Sequence, residues 1–593
     1  MIKKESLVKM PVGLCVLPLV KNRGRSVSYP AYMNEILSHA GLCYTGIDYE
    51  NLPENLGSVE ILITVGETEF PDDMKKKLAS WVKEGGAWIS VGGVCGMSDL
   101  LGARILLPSY KAWDLSINTL GEGYFKPLSR THPIVKDIKI PLHFFNGISV
   151  YASRGKSLAR ALDSHQREGA RSALVETRTG KGISILIAPD ITGAIVRIQQ
   201  GIAVTRDGVP APDGTASVSD GVLKCDDGIV LDWIFDRQEL KGAKGLRAFL
   251  EPVADQWREI ILRSIFYVAS RRRIPLPLLW LYPRNLPALA HLSDDTDQNI
   301  PIRAQYLLKI LKKKRVHSTW CMILPGYPPD IVRSIRDAGH ELAMHYNALE
   351  WENLSWNEKE FQKQFSALTA LCDGQRPVSN KNHYTRWEGD TEFFEWCVRA
   401  GIQFDESKGP SKTGNVGFLF GTCHPHFPMD PRGKLIDVLE LPFLTQDLVV
   451  TVPPALVDAL ILAAKKHHGI MHLLFHPHHI FTPGVEKALV YSLKAARNQK
   501  FEWWKAEQIN TWERARRKIR WENYVKKEDA SQVQMSFGEP LEAATILWLA
   551  PSSALLKING RKKKMTQVER WGFPFHSVTF NAESGKSYVC DIM

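Results

Sequence analysis

Short apolar runs alternate with amphipathic segments along the first 245 residues of the chain. Residues 71–86 predict a helix, because Pro71 opens the segment and Gly85 with Gly86 ends it. A strand, a helix and a strand joined by such short connections are typical of a parallel, doubly wound sheet. The apolar runs predicted to form strands are 11–19, 60–66, 87–93 and 183–190.

An amphipathic helix is predicted over residues 249–270, followed by the cationic and proline-rich segment 271–277. From 285 to 510 the alternation of apolar strands and amphipathic helices resumes. The predicted strands are 287–295, 316–324, 340–345, 434–443 and 470–476, and the predicted helices are 301–314, 329–339, 391–401 and 454–467. Repeated βα units of this length indicate a barrel or an open α/β sheet.

The last part of the chain changes its pattern. Residues 500–524 predict an aromatic and basic helix whose tryptophans pack rather than bind a ligand. From residue 530 onward the runs become short and strand-like, as in 532–537 and 586–592, which predicts a small β-sandwich.

Composition and charge exclude several classes of protein. The chain has 593 residues, of which 44% are hydrophobic and 23% charged, as in ordinary globular domains. The net charge of +11 is partly clustered, but no nucleic-acid reading motif accompanies the clusters, so no nucleic-acid partner is expected. Nine scattered cysteines without a CxxC pair argue against a disulfide framework and a thiolate zinc site.

The sequence also bears on location. No run approaches the roughly 18–20 apolar residues that cross a bilayer, so no membrane span is expected. The apolar N-terminal run contains Pro11 and Pro18 and has no small-residue cleavage site, and we interpret it as a strand rather than a signal peptide. A cytoplasmic protein is therefore expected.

Candidate chemistry concentrates in the second α/β region. Of 18 histidines, eleven fall between residues 340 and 479, mostly near predicted strand ends. The first strand of this region ends with three carboxylates within four residues, which indicates either a solvated turn or a metal ligand beside a general base. Strand alternation places Asp295 and Asp297 on one side and Asp294 on the other.

Histidines follow three later strands. His345 ends the predicted strand 340–345, whereas His340 at its start is expected to be a hydrogen-bonded strand residue. His383 lies in a loop before a helix, and His476 follows an apolar run and precedes a proline. Imidazole with carboxylate and without thiolate suits one divalent ion, zinc first, with cobalt, nickel or iron as alternatives.

The order of these segments resembles that of the polysaccharide deacetylases, metal-dependent carbohydrate esterases with a distorted (β/α) barrel. The resemblance covers residues 285–510. It is carried by 293-SDDTD-297, 318-STWCMIL-324, 339-GHELAMH-345, 380-NKNHYTRW-387, 404-FDES-407 and 474-LFHP-477.

The resemblance implies a role for each matching residue. The base and a metal ligand are Asp295 and Asp297 in the Asp-x-Asp variant, or Asp294 and Asp295 in the adjacent-pair variant. His345 matches a metal ligand and His476 the general acid. Tyr384, Arg386 and Trp387, in the segment 380–387, are candidates for substrate contact.

The usual second ligand histidine, four residues after the first, is Leu349 in this chain. His383 is the residue that would replace it. If nothing replaces it, the barrel is catalytically degenerate and acts as a carbohydrate-binding or scaffold protein.

The N-terminal region resembles the glutamine-amidotransferase-like, flavodoxin-like accessory domains. Cys95 follows a predicted strand, where a nucleophile would stand, but no His-x-Glu pair follows it, and Gly92, Gly93 and Gly96 favour a tight turn. We therefore predict an α/β multidomain protein. Its parts are an accessory domain 1–245, a linker helix and connector 246–284, a deacetylase-like barrel 285–527 and a β-rich domain 528–593.

The expected activity is hydrolytic removal of acetyl groups from a carbohydrate, with N-acetyl favoured over O-acetyl. Asp295 would accept a proton from water, and His476 would protonate the leaving group. The expected partner is an acetylated carbohydrate, and the N-terminal domain is the part through which a homo-oligomer would form.

Overall fold

The computed structural model describes residues 10–18, 26–106, 120–208, 219–412, 414–527, 530–550 and 554–593. The described residues form two compact units. Unit 1 comprises the chain up to Ile195, Gln256–Asn285 and Arg514–Met593. Unit 2 comprises Val196–Asp255 and Leu286–Glu513. The interpretation of the N-terminus rests partly on residues 1–9 and 19–25, which lie outside the described residues.

Strands and short helices alternate in the first 200 residues. The strands are β1 (Val12–Val16), β2 (Tyr44–Gly46), β3 (Ile61–Val65), β4 (Ala87–Val91), β5 (Ala103–Ile105), β6 (Gly123–Pro127), β7 (Leu142–Phe144), β8 (Val150–Ala152), β9 (Lys156–Asp163), β10 (Ser172–Thr179) and β11 (Gly182–Ile187). The helices are α1 (Tyr32–His39), α2 (Leu52–Asn55), α3 (Asp72–Glu84), α4 (Ser98–Leu101) and α5 (Ile191–Gln200).

These strands form one mixed sheet in unit 1, in the order β2-β1-β3-β4-β11-β10-β9-β6-β7, with β5 and β8 attached beside β10. The first five strands of that order pair in parallel, and α3 connects β3 to β4 as the pattern predicts. Every residue of β3 and β4 is buried, as expected for parallel strands covered on both faces. The remaining strands are antiparallel, so the sheet is only partly the doubly wound sheet expected.

The turn after β4 is tight. Gly92 and Gly96 have φ of +70° and +69°, and Cys95 itself has φ of +53°. A Cβ added to Gly93 would lie 2.0 Å from the carbonyl oxygen of Gly66. Burial raises the pKa of the Cys95 thiol well above its ordinary value, which disfavours the nucleophilic thiolate. The glycines therefore serve the close packing of this turn.

The middle of the chain carries the elements β12 (Gln238–Glu239), β13 (Arg247–Ala248), α6 (Val253–Arg271) and β14 (Leu276–Leu279). The helix predicted over 249–270 thus begins four residues later than expected. Among the described residues no helix is long and apolar enough to cross a membrane.

Unit 2 is built on βα repeats. Its strands are β15 (Leu289–Asp295), β16 (Thr319–Met322), β17 (Glu341–Tyr346), β18 (Ser379–Asn382), β19 (Phe404–Asp405), β20 (Leu439–Glu440), β21 (Ile470–Phe475) and β22 (Glu502–Trp504). Its helices are α7 (Pro301–Lys314), α8 (Pro329–Asp337), α9 (Glu358–Leu371), α10 (Glu392–Ala400), α11 (Leu456–Lys466) and α12 (Val485–Asn498), and α13 (Ala506–Arg516) follows them.

The strands of unit 2 form one parallel sheet in the order β20-β19-β18-β17-β16-β15-β21, with β22 also paired to β15. The sheet curls into a half-barrel rather than the complete barrel allowed by the pattern. The strand predicted over 434–443 is reduced to Leu439–Glu440, because its partner β19 offers only Phe404 and Asp405 for pairing.

The last strands belong to unit 1. They are β23 (Ile519–Lys527), β24 (Ala530–Phe537), β25 (Leu541–Leu549), β26 (Leu556–Ile558), β27 (Arg561–Lys562), β28 (Thr566–Arg570), β29 (Phe573–Ala582) and β30 (Ser587–Ile592). They form two antiparallel sheets, ordered β14-β25-β29-β28 and β23-β24-β30-β26-β27.

The single helix predicted over 500–524 is wrong. Residues 502–504 pair with β15 as a strand, α13 occupies only Ala506–Arg516, and residues from Ile519 onward pair with β24. Ladder hydrogen bonds, to the distant strand β15 at one end and to the neighbouring strand β24 at the other, outweigh the local helical pattern of this segment.

Candidate metal centre

Polar side chains from four strands of the half-barrel meet at one edge of its sheet. Asp295 is the last residue of β15 and Asp297 lies just beyond it, while His345 is near the end of β17. His383 follows β18, and His476 follows β21. Because the strands are parallel, their carboxyl ends meet at the same edge, where these five residues line a cavity of about 270 Å³.

Three of these residues converge on one point. Asp297 Oδ1 lies 3.3 Å from His345 Nε2 and 3.5 Å from His383 Nδ1. The two imidazole nitrogens are 3.2 Å apart. One carboxylate oxygen and two ring nitrogens therefore lie within 4.8 Å of one another.

The hydrogen bonds around this group orient its ligand atoms toward one point. His345 Nδ1 lies 2.9 Å from the carbonyl oxygen of Lys381, and a ring that donates there presents a lone pair at Nε2. Asp297 Oδ1 is buried without a hydrogen-bond partner. An ionised oxygen and a ring lone pair directed at one point repel unless a cation lies between them.

This donor set fits a divalent ion of the zinc type. Catalytic zinc sites use three protein ligands, drawn from histidine and carboxylate, and leave a fourth position open to the cavity. Leu349 is buried and is not among the residues lining the cavity. His383, from the turn after β18, lies where a second imidazole is needed.

Asp295 lies beside a buried cation that the sequence analysis missed. Lys381 Nζ is 3.4 Å from Asp295 Oδ1 and hydrogen-bonds to Ser293 Oγ. Burial alone would lower the pKa of Lys381, but the carboxylates of Asp295 and Glu406 raise it above its ordinary value. In the sequence, the only signal for Lys381 would have been its place in the short strand β18, where it faces the same interior as His345.

A second polar cluster lies deeper in the half-barrel. Glu406 Oε2 is 3.1 Å from His291 Nε2, 3.2 Å from His472 Nε2 and 3.7 Å from Lys381 Nζ. Burial and the neighbouring His291 lower the pKa of His472 to about 3, so that ring is neutral. Three ligand-type residues therefore meet here, and the ammonium of Lys381 lies beside their carboxylate as well as beside Asp295.

His476 is held by a carboxylate that the sequence did not indicate. Its Nδ1 lies 2.5 Å from Asp447 Oδ2, and its backbone N–H donates to Asp447 Oδ1 at 2.8 Å. Its Nε2 is 3.4 Å from Asp297 Oδ2. Burial would lower the pKa of His476, but Asp447, and then Asp297, raise it to about 10. Asp447 lies in the loop after β20, in no recognisable motif.

The predicted substrate residues fall in different environments. Tyr384 lines the cavity and is 49% exposed. Trp387 is only 1% exposed, packs against Phe393 and donates its indole N–H to Asp390. Arg386 is also buried, and it pairs with Glu388. Neither Trp387 nor Arg386 lines the cavity, so the structure brings only Tyr384 to it.

Asp294 points away from the other carboxylates. It is fully buried and is not among the lining residues. Burial, with a smaller effect of Asp295, raises its pKa to about 8. Asp295 and Asp297 thus line the cavity, whereas Asp294 does not.

The cavity has further lining residues that the sequence analysis left unassigned. Lys224 comes from Val196–Asp255 of unit 2, pairs with Asp220 at 2.5 Å and lies 5.4 Å above the Tyr384 ring. The others are Asn382, Thr385, Ser411, Gln446, Thr451, Leu474, His478 and His479.

No family model and no curated protein matches this chain. Solved structures similar to it include a protein assigned as a polysaccharide deacetylase from Mycobacterium smegmatis, with 19% identity over 39% of this chain and 92% of that one, at a TM-score of 0.31. The allantoinase PuuE is 15% identical over 39% of this chain and 91% of its own, also at 0.31. A second protein assigned as a polysaccharide deacetylase, from Pseudomonas aeruginosa PAO1, is 18% identical over 35% of this chain and 72% of its own, at a TM-score of 0.27.

Proposed function

We propose that this protein is a metal-dependent hydrolase that removes acetyl groups from a carbohydrate, from nitrogen rather than from oxygen. The observation that carries the proposal is the convergence of the Asp297, His345 and His383 ligand atoms within 4.8 Å. A buried Asp295 and a carboxylate-bound His476 line the same cavity.

Asp297 Oδ1, His345 Nε2 and His383 Nδ1 would hold the cation, and zinc suits this donor set best. A bound divalent ion supplies Lewis-acid polarisation of an acyl oxygen and acidifies water. The hydrogen bond from His345 Nδ1 to the Lys381 carbonyl keeps the ring oriented with Nε2 toward that position.

Asp295 is the proposed proton acceptor. Lys381 engages its Oδ1, while its Oδ2 lies 3.8 Å from His345 Nε2, on the side of the metal ligands. Oδ2 is thus the oxygen placed to take a proton from an attacking water molecule. The ammonium of Lys381 stabilises the charged carboxylate in an interior from which water is largely excluded.

His476 is the proposed proton donor. Asp447 accepts the proton of Nδ1, so the second proton of the imidazolium is on Nε2, which faces Asp297 and the cavity. After giving up that proton, the ring remains neutral and still hydrogen-bonded to Asp447. An amine leaves a tetrahedral intermediate slowly unless it is protonated, which favours an N-acetyl over an O-acetyl substrate for a site with such a donor.

The substrate is proposed to enter beside Tyr384. Its half-exposed ring offers a stacking face for a sugar, and the cavity volume of about 270 Å³ suits one sugar unit carrying its acyl group. The ammonium of Lys224 near the same ring would donate to a sugar hydroxyl.

The test is acetate release from N-acetylated chito-oligosaccharides and from O-acetylated xylo-oligosaccharides by the zinc-loaded protein. We expect release from the N-acetylated substrate and its loss by about 10²–10⁴-fold in Asp295→Asn and in His476→Ala. His317→Ala is the matched control, because His317 is exposed before β16, at the opposite end of the strands. A protein that retains no zinc after loading and releases no acetate would instead support a degenerate, carbohydrate-binding barrel.

A further inference from the structure

Unit 1 contains a cavity of about 710 Å³ between strands β9, β10 and the helix α6. Its lining residues are His132, Arg154, Lys156, Glu176, Thr177, Arg178, Thr179, Gly180 and Tyr267. We propose that this cavity binds a small ligand through an oxyanion, either a carboxylate or a phosphate monoester. It shares no residue with the candidate metal centre, so the proposal does not depend on the hydrolase activity.

The floor of the cavity is a built polar site. Glu176 is only 6% exposed, and its Oε1 accepts hydrogen bonds from Tyr267 at 2.9 Å and from Arg178 Nε at 3.3 Å. Its Oε2 lies 3.3 Å from His132 Nε2. The carboxylate therefore has partners on both oxygens and fixes the guanidinium of Arg178 at the cavity wall.

The rim of the cavity is cationic. Arg154 lies in the turn before β9, Lys156 begins β9 and Arg178 is near the end of β10, and Arg154 also donates to Thr179 at 3.4 Å. Glu176 is the only carboxylate among these lining residues that the structure describes, so three permanent cations surround one anion. Like charges gathered around one concavity repel one another, and a bound anion relieves that repulsion.

The geometry favours an oxyanion over other anions. Two guanidinium groups present planar pairs of N–H donors that match carboxylate and phosphate oxygens. The volume lies within the range of about 300–1,000 Å³ that is typical of small-molecule sites. A sugar acid or a sugar phosphate therefore fits both the charge and the size.

The experiment is calorimetric titration of the full-length protein with glucuronate, with glucose 6-phosphate and with uncharged glucose. We expect saturable binding of at least one anionic sugar, no binding of glucose, and weaker binding at higher ionic strength. Whichever anion binds identifies the oxyanion as carboxylate or phosphate.

Arg178→Gln is expected to weaken the binding about tenfold, through the loss of a charge-assisted hydrogen bond. Lys156→Gln, an exposed position without a packing role, should weaken it about threefold and cannot act by unfolding the protein. Arg167→Gln removes an exposed guanidinium outside the cavity and should bind as the wild type does. The proposal is overturned if neither anion binds, if both cavity variants bind normally, or if Arg167→Gln weakens binding equally.

Discussion

The imidazoles of His345 and His383 lie 3.2 Å apart, Nε2 to Nδ1, although 38 residues separate them in the chain. Both nitrogens face the same oxygen of Asp297. His345 Nδ1 lies 2.9 Å from the backbone carbonyl oxygen of Lys381, so Nε2 is the nitrogen of this ring that is directed at Asp297. Such a group is more stable with a cation at its centre than without one.

Metal content is the first prediction. Purified protein should carry about one divalent ion per chain, and Asp297→Ala, His345→Ala and His383→Ala should each lose it, because three ligands are the minimum for such a site. Elemental analysis by mass spectrometry measures this directly. His478→Ala is the control, since His478 lines the cavity outside the ligand triad. Equal metal content in all four variants would show that the triad does not hold the ion.

Lys381→Met tests the charge beside Asp295. Removing this ammonium leaves Asp295 and Glu406 without their buried cation, 3.4 Å and 3.7 Å away. We expect a loss of about 3–5 kcal/mol in the free energy of unfolding and a fall in kcat of about 10²-fold.

Lys381→Arg keeps the charge and should recover most of the stability. Chemical denaturation and steady-state acetate release measure the two effects separately. If Lys381→Met is as stable and as active as the wild type, the ammonium does not support Asp295.

Asp447→Asn tests how His476 is oriented. The amide preserves size but removes the charge, and it can turn its N–H₂ toward His476 Nδ1. We expect kcat to fall about 10–100-fold with KM nearly unchanged, because Asp447 contacts the proposed donor rather than the sugar. Kinetics on an N-acetylated oligosaccharide checks this. An unchanged kcat would mean that His476 does not transfer the proton.

The environment of Glu176 predicts that the free energy of unfolding of the protein depends on pH. Burial raises the pKa of Glu176, but the surrounding His132, Tyr267 and Arg178 lower it from 4.5 to about 2. A carboxylate whose pKa is lowered in the folded state stabilises that state above pH 4.5, by about 2–3 kcal/mol, and this contribution is lost as the pH falls toward 2. The difference in unfolding free energy between wild type and Glu176→Gln should therefore shrink below about pH 4.5.

Urea titrations at pH 7, 5 and 4 measure this difference. The control is Glu569→Gln, at an exposed position in β28 of unit 1. A difference that is constant across the three pH values would contradict the assigned ionisation of Glu176.

Two aromatic residues of one segment should behave in opposite ways. Trp387 is buried against Phe393 and Phe394, so Trp387→Ala should cost about 3–5 kcal/mol of stability. Tyr384 is half-exposed at the cavity, so Tyr384→Ala should change stability by less than about 0.5 kcal/mol but raise KM several-fold. Thermal unfolding and kinetics on both variants separate packing from substrate contact.

The sequence by itself determined the local features of the site. Alternation along β15 places Asp295 and Asp294 on opposite sides, because side chains alternate across any strand, and Asp297 follows just beyond the strand end. A polar residue directly after an apolar run, such as His476, lies at the carboxyl edge of a parallel sheet wherever that run becomes a parallel strand. Both rules depend only on neighbours in the chain.

The tertiary structure alone decided which distant groups meet. That Lys381 lies beside Asp295, and that Asp447 binds His476, depends on strand pairing and loop packing, which no short motif records. Trp387 is buried because aromatic side chains pack around it. Residues 500–524 become two strands and a helix because partner strands bind their ends. Local pattern sets which face a side chain occupies, whereas the partner on that face comes from packing between segments far apart in sequence.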